Sequence, residues 1–183
     1  LAFYLCVCLM QLSHGPYYTF LTLHLESLGY ARGLIGQLWA LGVVAEVLLF
    51  LVMPRLLTRF SLRQVLVASF LLAALRWLLL GTLAGHLGVL LFAQLLHAAT
   101  FGSFHAGAIH FVQRSFQARQ QGQGQALYAA LAGTGGALGA LYSGYSWGSL
   151  GPAWTFAIAS VAALAAALII WTRLNEDPHA RQP

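Results

Sequence analysis

The chain has 183 residues, of which 60% are apolar and only 7% are charged, and its formal net charge is +5. Soluble globular domains carry roughly 25% charged residues, because their whole surface faces water. This composition excludes a soluble enzyme, a disordered tail and a coiled coil, and it predicts an all-α, polytopic membrane protein.

Six apolar runs are long enough to cross a bilayer, which takes about 20 residues of helix. They lie at about 2–24, 33–53, 64–82, 87–112, 124–144 and 153–172. Helices are expected because backbone groups in lipid must pair within their own segment. The runs predict a single six-helix transmembrane domain over residues 1–183, with a cytoplasmic tail at 173–183. Because the chain begins within an apolar run and without Met, we expect it to be a piece of a longer protein.

The Arg residues are unevenly divided between the two sides of this arrangement. One side carries only Arg32, and the other carries Arg55, Arg59, Arg63, Arg114, Arg119, Arg173 and Arg181. Basic residues concentrate in cytoplasmic loops, so both chain ends are expected to face the cytoplasm. The same bias explains the positive net charge, and no nucleic-acid partner is expected.

Related short sequences occur in the first and fourth runs. The first contains Ser13-His14-Gly15, and the fourth contains Ser103-Phe104-His105-Ala106-Gly107. Each of these runs opens a group of three helices. Two inverted three-helix repeats are typical of secondary transporters, whose sites lie at the repeat interface near the middle of the membrane.

A few ionisable side chains lie well inside the runs, where they are costly and are candidates for function. They are His14, Glu46, Arg76, His97 and His105. Glu46 is the only acid and Arg76 the only base within any run. Two interpretations remain open: they form a structural ion pair between the second and third helices, or they bind substrate and protons.

Helical spacing places several polar and aromatic side chains on common faces. Gln94, His97, Phe101 and His105 share one face of the fourth run, and His14 shares a face of the first run with Tyr18. These faces predict the wall of a cavity. Histidine changes charge near neutral pH, which suits proton coupling, and a hydrogen-bonded packing role is the alternative for each.

The same residues give little support to an enzyme or a metalloprotein. No His pair has the HExxH context or the Cys partners of a metal site, so neither a metal nor a cofactor is expected. Ser103 is followed by Phe, whereas the nucleophile elbow of a serine hydrolase requires a small residue. An intramembrane enzyme that uses Ser103 and a non-transporting membrane subunit remain as alternatives to a transporter.

Four segments carry a resemblance to a known family. They are SHGPYYTF, LGYARGLIGQLWALGVVAEVLLF, ALRWLLLG and LLHAATFGSFHAGAIHF. They resemble the 3-phenylpropionic acid transporter branch of the major facilitator superfamily, which is similar to lactose permease. The loop PRLLTRFSLR is similar to the Arg-rich cytoplasmic loop of that superfamily, although it lacks the Gly and Asp of the full motif. The resemblance implies the C-terminal six-helix half of a bacterial inner-membrane transporter whose N-terminal six-helix half is missing here.

The resemblance also implies a function and a set of site residues. It implies proton-coupled uptake of a small organic solute, first of all an aromatic carboxylic acid, with a sugar or nucleoside symporter as the alternative. By position, Glu46 matches the substrate-recognising Glu of lactose permease, Arg76 matches its Arg and His97 matches its His. The Glu that follows this His in the permease is missing, since no acid occurs between Ala93 and Val112.

The implied partners are the solute, protons and the lipid bilayer. Four aromatic side chains are candidates to flank the apolar ring of a solute, although anchoring at the membrane interface is the commoner use of Tyr and Trp. They are Tyr17, Tyr18, Trp39 and Trp77.

Overall fold

The computed structural model describes residues 1–174, which are 91% helical and include no β-strand. The α-helices are α1 (Ala2–Ser13), α2 (Gly15–Ser27), α3 (Arg32–Arg59), α4 (Leu62–Thr82), α5 (Leu87–His97), α6 (Ser103–Ser115), α7 (Gln121–Leu150) and α8 (Pro152–Arg173). A π-helical turn, Ala98–Gly102, joins α5 to α6, and a 3₁₀ turn, Ala118–Gln120, precedes α7. The all-α prediction is confirmed for these residues, whereas most of the predicted tail, including Arg181, lies outside them.

Four helical segments are long and apolar enough to cross a membrane. They are Arg32–Arg59, Leu62–Thr82, Leu87–Ser115 and Pro152–Arg173. The first predicted run is divided between α1 and α2, so neither piece reaches that length. The fifth lies in α7, which has 30 residues but is rich in Gly, Ser and Tyr. The six-span arrangement therefore remains a prediction.

Within the run predicted at 2–24, the structure separates α1 from α2 by one residue. The helix is interrupted at His14, two residues before Pro16. Proline has no N–H, so Pro16 cannot donate to the carbonyl of Leu12 and the regular helical ladder cannot pass this point intact. The interruption puts a histidine at a helix break.

Two helices continue beyond their predicted ends. Pro54 lies inside α3, which runs on to Arg59, because a single proline removes only one hydrogen bond of a long ladder. The helix α7 also continues beyond its predicted end, to Leu150. It is followed by Gly151, whose φ of 81° favours glycine. Arg55 and Arg59 consequently lie on the last two turns of a helix instead of in a loop.

Small side chains allow the helices to pack closely around the centre. The main contacts of α4 are with α8, and α1 packs against both α7 and α8. Both α4 and α8 carry fully or almost fully buried alanines, including Ala74, Ala159 and Ala163. Ser160 donates a hydrogen bond to the carbonyl of Ala74 over 3.0 Å. Such interfaces are typical of helices that associate in lipid.

The glycines of α7 fall into two classes. A Cβ on Gly135 would overlap the backbone of Cys8, and one on Gly139 would lie 2.7 Å from the Leu12 carbonyl oxygen. Gly136, on the same helix, has nothing within 4 Å of that position. The first class lets α7 touch the backbone of α1 just before the break at His14.

We expect Gly139→Ala to destabilise the protein by about 1–3 kcal/mol, because the added methyl group must push two backbones apart. Gly136→Ala is the matched control, and it is expected to leave the thermal unfolding temperature in detergent nearly unchanged. Equal unfolding temperatures for the two variants would contradict the close α1–α7 contact.

Candidate functional site

The site is built around Arg76, which points from α4 into the protein and is 0% exposed. Its Nε donates to the carbonyl of Ala93 over 2.8 Å, and Nη2 donates to Oε1 of Gln94 over 3.2 Å. Its Nη1 lies 3.1 Å from Nδ1 of His97 and 3.4 Å from the hydroxyl of Thr100. A buried cation needs such a full set of partners, since unpaired it would be very costly.

Two aromatic rings also hold the guanidinium. Its central carbon lies 4.1 Å from the ring centre of Tyr17 and 4.8 Å from that of Trp77, which gives a cation–π contact with each. Tyr17 also donates to Oε1 of Gln94 over 3.1 Å. Gln94 in turn donates to the carbonyl of Leu38 over 3.0 Å, which ties α5 to α3.

Arg76 determines which nitrogen of His97 carries the proton. A guanidinium only donates hydrogen bonds, so Nδ1 of His97 accepts and Nε2 bears the hydrogen of the neutral ring. Nε2 lies 3.5 Å from Oε2 of Glu46, so the N–H-bearing nitrogen is the one next to that carboxylate. The three residues form a chain, which we call the Arg76–His97–Glu46 relay.

The relay bears on the two interpretations of Glu46 and Arg76 that the sequence left open. A direct ion pair between Glu46 and Arg76 was one of two open interpretations, but among residues 1–174 the carboxylate of Glu46 meets His97 instead. The Glu46 side chain is 16% exposed and that of His97 is 7% exposed, whereas Arg76 is fully buried. Glu46 is thus the end of the relay that a solute can approach.

The π-helical turn shapes the part of the site next to Glu46. A Cβ on Gly102, in this turn, would lie 3.1 Å from Cγ of Glu46, so the glycine leaves room for the carboxylate side chain. The hydroxyl of Ser103 donates to the carbonyl of Ala99, and it lies 2.7 Å from the hydroxyl of Ser69. Single π turns inside α-helices occur frequently at functional sites.

The other two predicted histidines lie on either side of the relay. His14, at the α1–α2 break, is 0% exposed, and its ring centre is 6.4 Å from that of His97. His105 lies two turns beyond His97, with Phe101 stacked between them. Nδ1 of His105 is 2.8 Å from the hydroxyl of Tyr128, which links α6 to α7.

The four predicted aromatic residues divide into an inner and an outer pair. Tyr17 and Trp77 are buried against Arg76, so a solute in this conformation does not reach them. Tyr18 is 50% exposed and stacks on Trp39 with ring centres 6.3 Å apart. Trp39 donates to the hydroxyl of Thr22 over 3.2 Å. The outer pair, with Phe101, forms an aromatic surface beside the open end of the relay.

Some members of the site had no signal in the sequence. Tyr128 and Thr100 are polar residues in apolar runs, and only the packing of neighbouring helices brings them to His105 and Arg76. Among residues 1–174, no group of three or more His, Cys, Asp or Glu side chains is placed to hold a metal ion.

Comparison with known proteins identifies the family of this helical protein. Residues 1–158 match the profile of the MFS_1 like family. The chain belongs to this family. It is also 34% identical over 169 residues to the "Probable 3-phenylpropionic acid transporter" of Escherichia coli (strain K12). The resemblance to the major facilitator superfamily is therefore confirmed, and the chain is a multi-pass membrane protein of a transporter family.

The alignment covers 88% of the chain but only 43% of the relative, so the chain spans less than half of the relative's length. No solved structure matches.

Proposed function

We propose that the chain is one half of a secondary active transporter that takes up an aromatic carboxylic acid together with protons. The Arg76–His97–Glu46 relay is the observation that carries this proposal. In the relay, Nε2–H of His97 can donate to the carboxylate of the solute, and the neighbouring carboxylate of Glu46 can bind a proton. The aromatic surface of Tyr18, Trp39 and Phe101 lies beside it and suits an apolar ring.

The coupling follows from competition at His97. The incoming carboxylate accepts from the Nε2–H of His97, and this nitrogen lies 3.5 Å from Oε2 of Glu46. Glu46 is then a carboxylate beside a second anion, and binding a proton relieves the repulsion. Arg76 acts through His97, because its own donors are already engaged by Ala93, Gln94 and Thr100. One proton therefore enters with each anion.

The membrane arrangement belongs to the same proposal. The polypeptide crosses the bacterial inner membrane six times within this chain, as two inverted three-helix repeats, with both ends in the cytoplasm. A second, N-terminal six-helix half supplies the opposite wall of the cavity. Four helical segments that are long enough to cross a membrane support the membrane-spanning part of this arrangement, and the 43% coverage of the relative supports a second half.

Uptake into proteoliposomes tests the proposed activity, with the full-length transporter that contains this chain. We expect an inward proton gradient to drive accumulation of labelled 3-phenylpropionate above its level in protein-free vesicles. Unlabelled 3-phenylpropanol, which lacks the carboxylate, and propionate, which lacks the ring, should compete weakly. Competition by sugars or nucleosides, without competition by aromatic acids, would overturn the proposed substrate class.

The orientation is tested by single Cys probes at exposed ends of the helices. Thr58→Cys, near the end of α3, should react with an impermeant reagent from the cytoplasmic side only. Gly148→Cys, near the end of α7, should react from the outside only, and a cysteine there has open space. Labelling of both positions from the same side would contradict the six-span arrangement.

A further inference from the structure

A shallow groove between α3 and α5 has no part in the relay. Its volume is about 450 Å³, and every side chain that lines it is apolar. Small side chains in its walls leave the space open. The walls include Leu41, Ala45, Leu48 and Val52 from α3, and Ala98 and Ala99 from the π turn. An exposed apolar groove on a membrane protein marks a place where lipid or another helix binds.

The α3 wall of this groove leads to two arginines. Its lining residues at 41, 45, 48 and 52 are spaced by three or four positions, so they lie on one face of the helix. The same spacing continues to Arg55 and Arg59, in the last two turns of α3. Both arginines are exposed. The groove and the two positive charges therefore share one face of α3.

The two arginines have no acidic partner among residues 1–174. Only two acids occur there. Glu26 pairs with Arg32, at the opposite end of α3. Glu46 meets His97 inside the protein. A guanidinium binds a phosphate group through two parallel hydrogen bonds, so the end of the groove is complementary in charge and geometry to an anionic headgroup.

The length of the groove suits an acyl chain. From Leu41 to Val52 an α-helix rises about 17 Å. One leaflet of a bilayer contains about 15 Å of hydrocarbon, which is half the thickness of the apolar core. A chain that lies along the groove therefore spans one leaflet. Its headgroup then reaches the level of Arg55, which is about one turn beyond Val52.

We propose that this groove binds an anionic phospholipid, with one acyl chain between α3 and α5 and the phosphate on Arg55 and Arg59. The inference goes beyond solute transport, and it rests on the proposed membrane arrangement for the placement of the arginines in the cytoplasmic leaflet. Helical spacing puts the groove on the opposite side of α3 from Trp39, which belongs to the aromatic surface beside the relay. The proposed N-terminal half faces that aromatic surface, so lipid covers the groove.

Lipid binding to the purified full-length transporter, measured by native mass spectrometry in detergent, tests the site. The probes are dioleoylphosphatidylglycerol, which is anionic, and dioleoylphosphatidylcholine, which has the same acyl chains but no net charge. We expect the wild type to bind the anionic lipid more tightly. Arg55→Gln together with Arg59→Gln should weaken binding of the anionic lipid about 10- to 30-fold, because two cationic contacts with the phosphate are lost.

Arg119→Gln together with Arg173→Gln is the matched control. It removes the same charge from the same predicted side of the membrane. Arg119 precedes α7, and Arg173 ends α8, which packs mainly against α4. Because salt screens distant exposed charges, this variant should weaken binding of the anionic lipid by less than about 3-fold. Equal losses in the two double variants would overturn the site, since positive charge in general would then attract the lipid.

Two further changes test the groove itself. Ala45→Phe fills it and should weaken the binding of both lipids. A photoreactive p-benzoylphenylalanine in place of Leu48, which is 58% exposed, should form adducts with phospholipid when membranes are irradiated. Crosslinks to protein alone would show that a helix of the other half or of a second copy covers the groove. That result, or lipid binding that Ala45→Phe leaves unchanged, would overturn the proposal.

These measurements report binding of lipid, so they do not depend on the transported solute. A protein that binds the anionic lipid at this groove but transports no aromatic acid would keep the lipid site and overturn only the proposed function. A protein that transports the acid but binds both lipids equally would do the reverse.

Discussion

Replacing Glu46 by Gln is expected to abolish proton-driven uptake of an aromatic acid while exchange of labelled for unlabelled acid persists. Glutamine imitates the protonated carboxyl, so the relay stays in the form that binds the anion. Exchange needs no net release of a proton, and it continues. The measurement compares gradient-driven uptake with exchange in proteoliposomes that contain the full-length transporter.

The control for Glu46 is Glu26→Gln. Glu26 accepts from Nε of Arg32 over 2.7 Å at the exposed turn between α2 and α3, far along the chain from the relay. Such an exposed ion pair contributes about 1 kcal/mol or less, and its loss should leave transport unchanged. Gradient-driven uptake at the wild-type rate by well-expressed Glu46→Gln protein would remove Glu46 from the coupling step.

A structural role for Glu46 predicts a different pattern. The variant would then lose stability, because the negative charge that balances Arg76 through His97 is gone. Expression and the unfolding temperature would fall together, and adding Arg76→Gln would partly restore them. The two roles are therefore separated by one variant and one double variant.

The sequence was sufficient to locate the helices and the charged residues of the site. Apolar runs in lipid have few conformational choices, so length and hydropathy predicted the helical segments and their approximate ends. Glu46, Arg76 and His97 were identifiable because ionisable groups are rare in such runs. This reasoning depends only on the residue type and its position in a run.

The contacts among those residues could not be predicted from the sequence. Whether Glu46 meets Arg76 or His97 depends on the rotation and separation of α3, α4 and α5, which periodicity within one helix does not determine. The π turn at Ala98–Gly102 is a second feature that the sequence did not predict, and it changes the register of α6 relative to α5. His97, Phe101 and His105 nevertheless stack in a row, as the helical spacing predicted.

The break at His14 could be predicted from the sequence only in part. Pro16 is visible in the sequence, and proline inside a helix predicts a kink or an end. Pro54 is equally visible, yet α3 continues through it to Arg59. The difference lies in the surroundings: near Pro16 the chain crosses α7 at Gly139, where the backbones touch. Only tertiary packing distinguishes the two prolines.

Arg76→Lys is expected to lower both the stability of the protein and its affinity for the acid, although the positive charge is kept. A guanidinium is a planar group with five N–H donors, whereas an ammonium is a compact point charge. Lysine cannot reach the Ala93 carbonyl, Gln94 and His97 at the same time. Hydrogen bonds to charged groups contribute about 1.5–3 kcal/mol each, so we expect a loss of about 3 kcal/mol in unfolding free energy.

The loss of affinity has a separate cause in the tautomer of His97. Without the Nη1 donor at Nδ1, the imidazole is free to place its hydrogen on Nδ1 and present a lone pair toward Glu46. A lone pair repels a carboxylate, so the solute anion loses its donor. Binding of the acid to the purified protein, measured by isothermal titration calorimetry, should weaken even at temperatures where Arg76→Lys is fully folded.

Arg32→Lys is the matched control, because it makes the same replacement at an arginine whose side chain is 89% exposed. It is expected to change the unfolding free energy by less than about 1 kcal/mol and to leave the affinity unchanged. If Arg76→Lys also behaved like the wild type, a positive charge alone would suffice at this position. The ability of the guanidinium to bind the Ala93 carbonyl, Gln94 and His97 at the same time would then have no part in binding the acid.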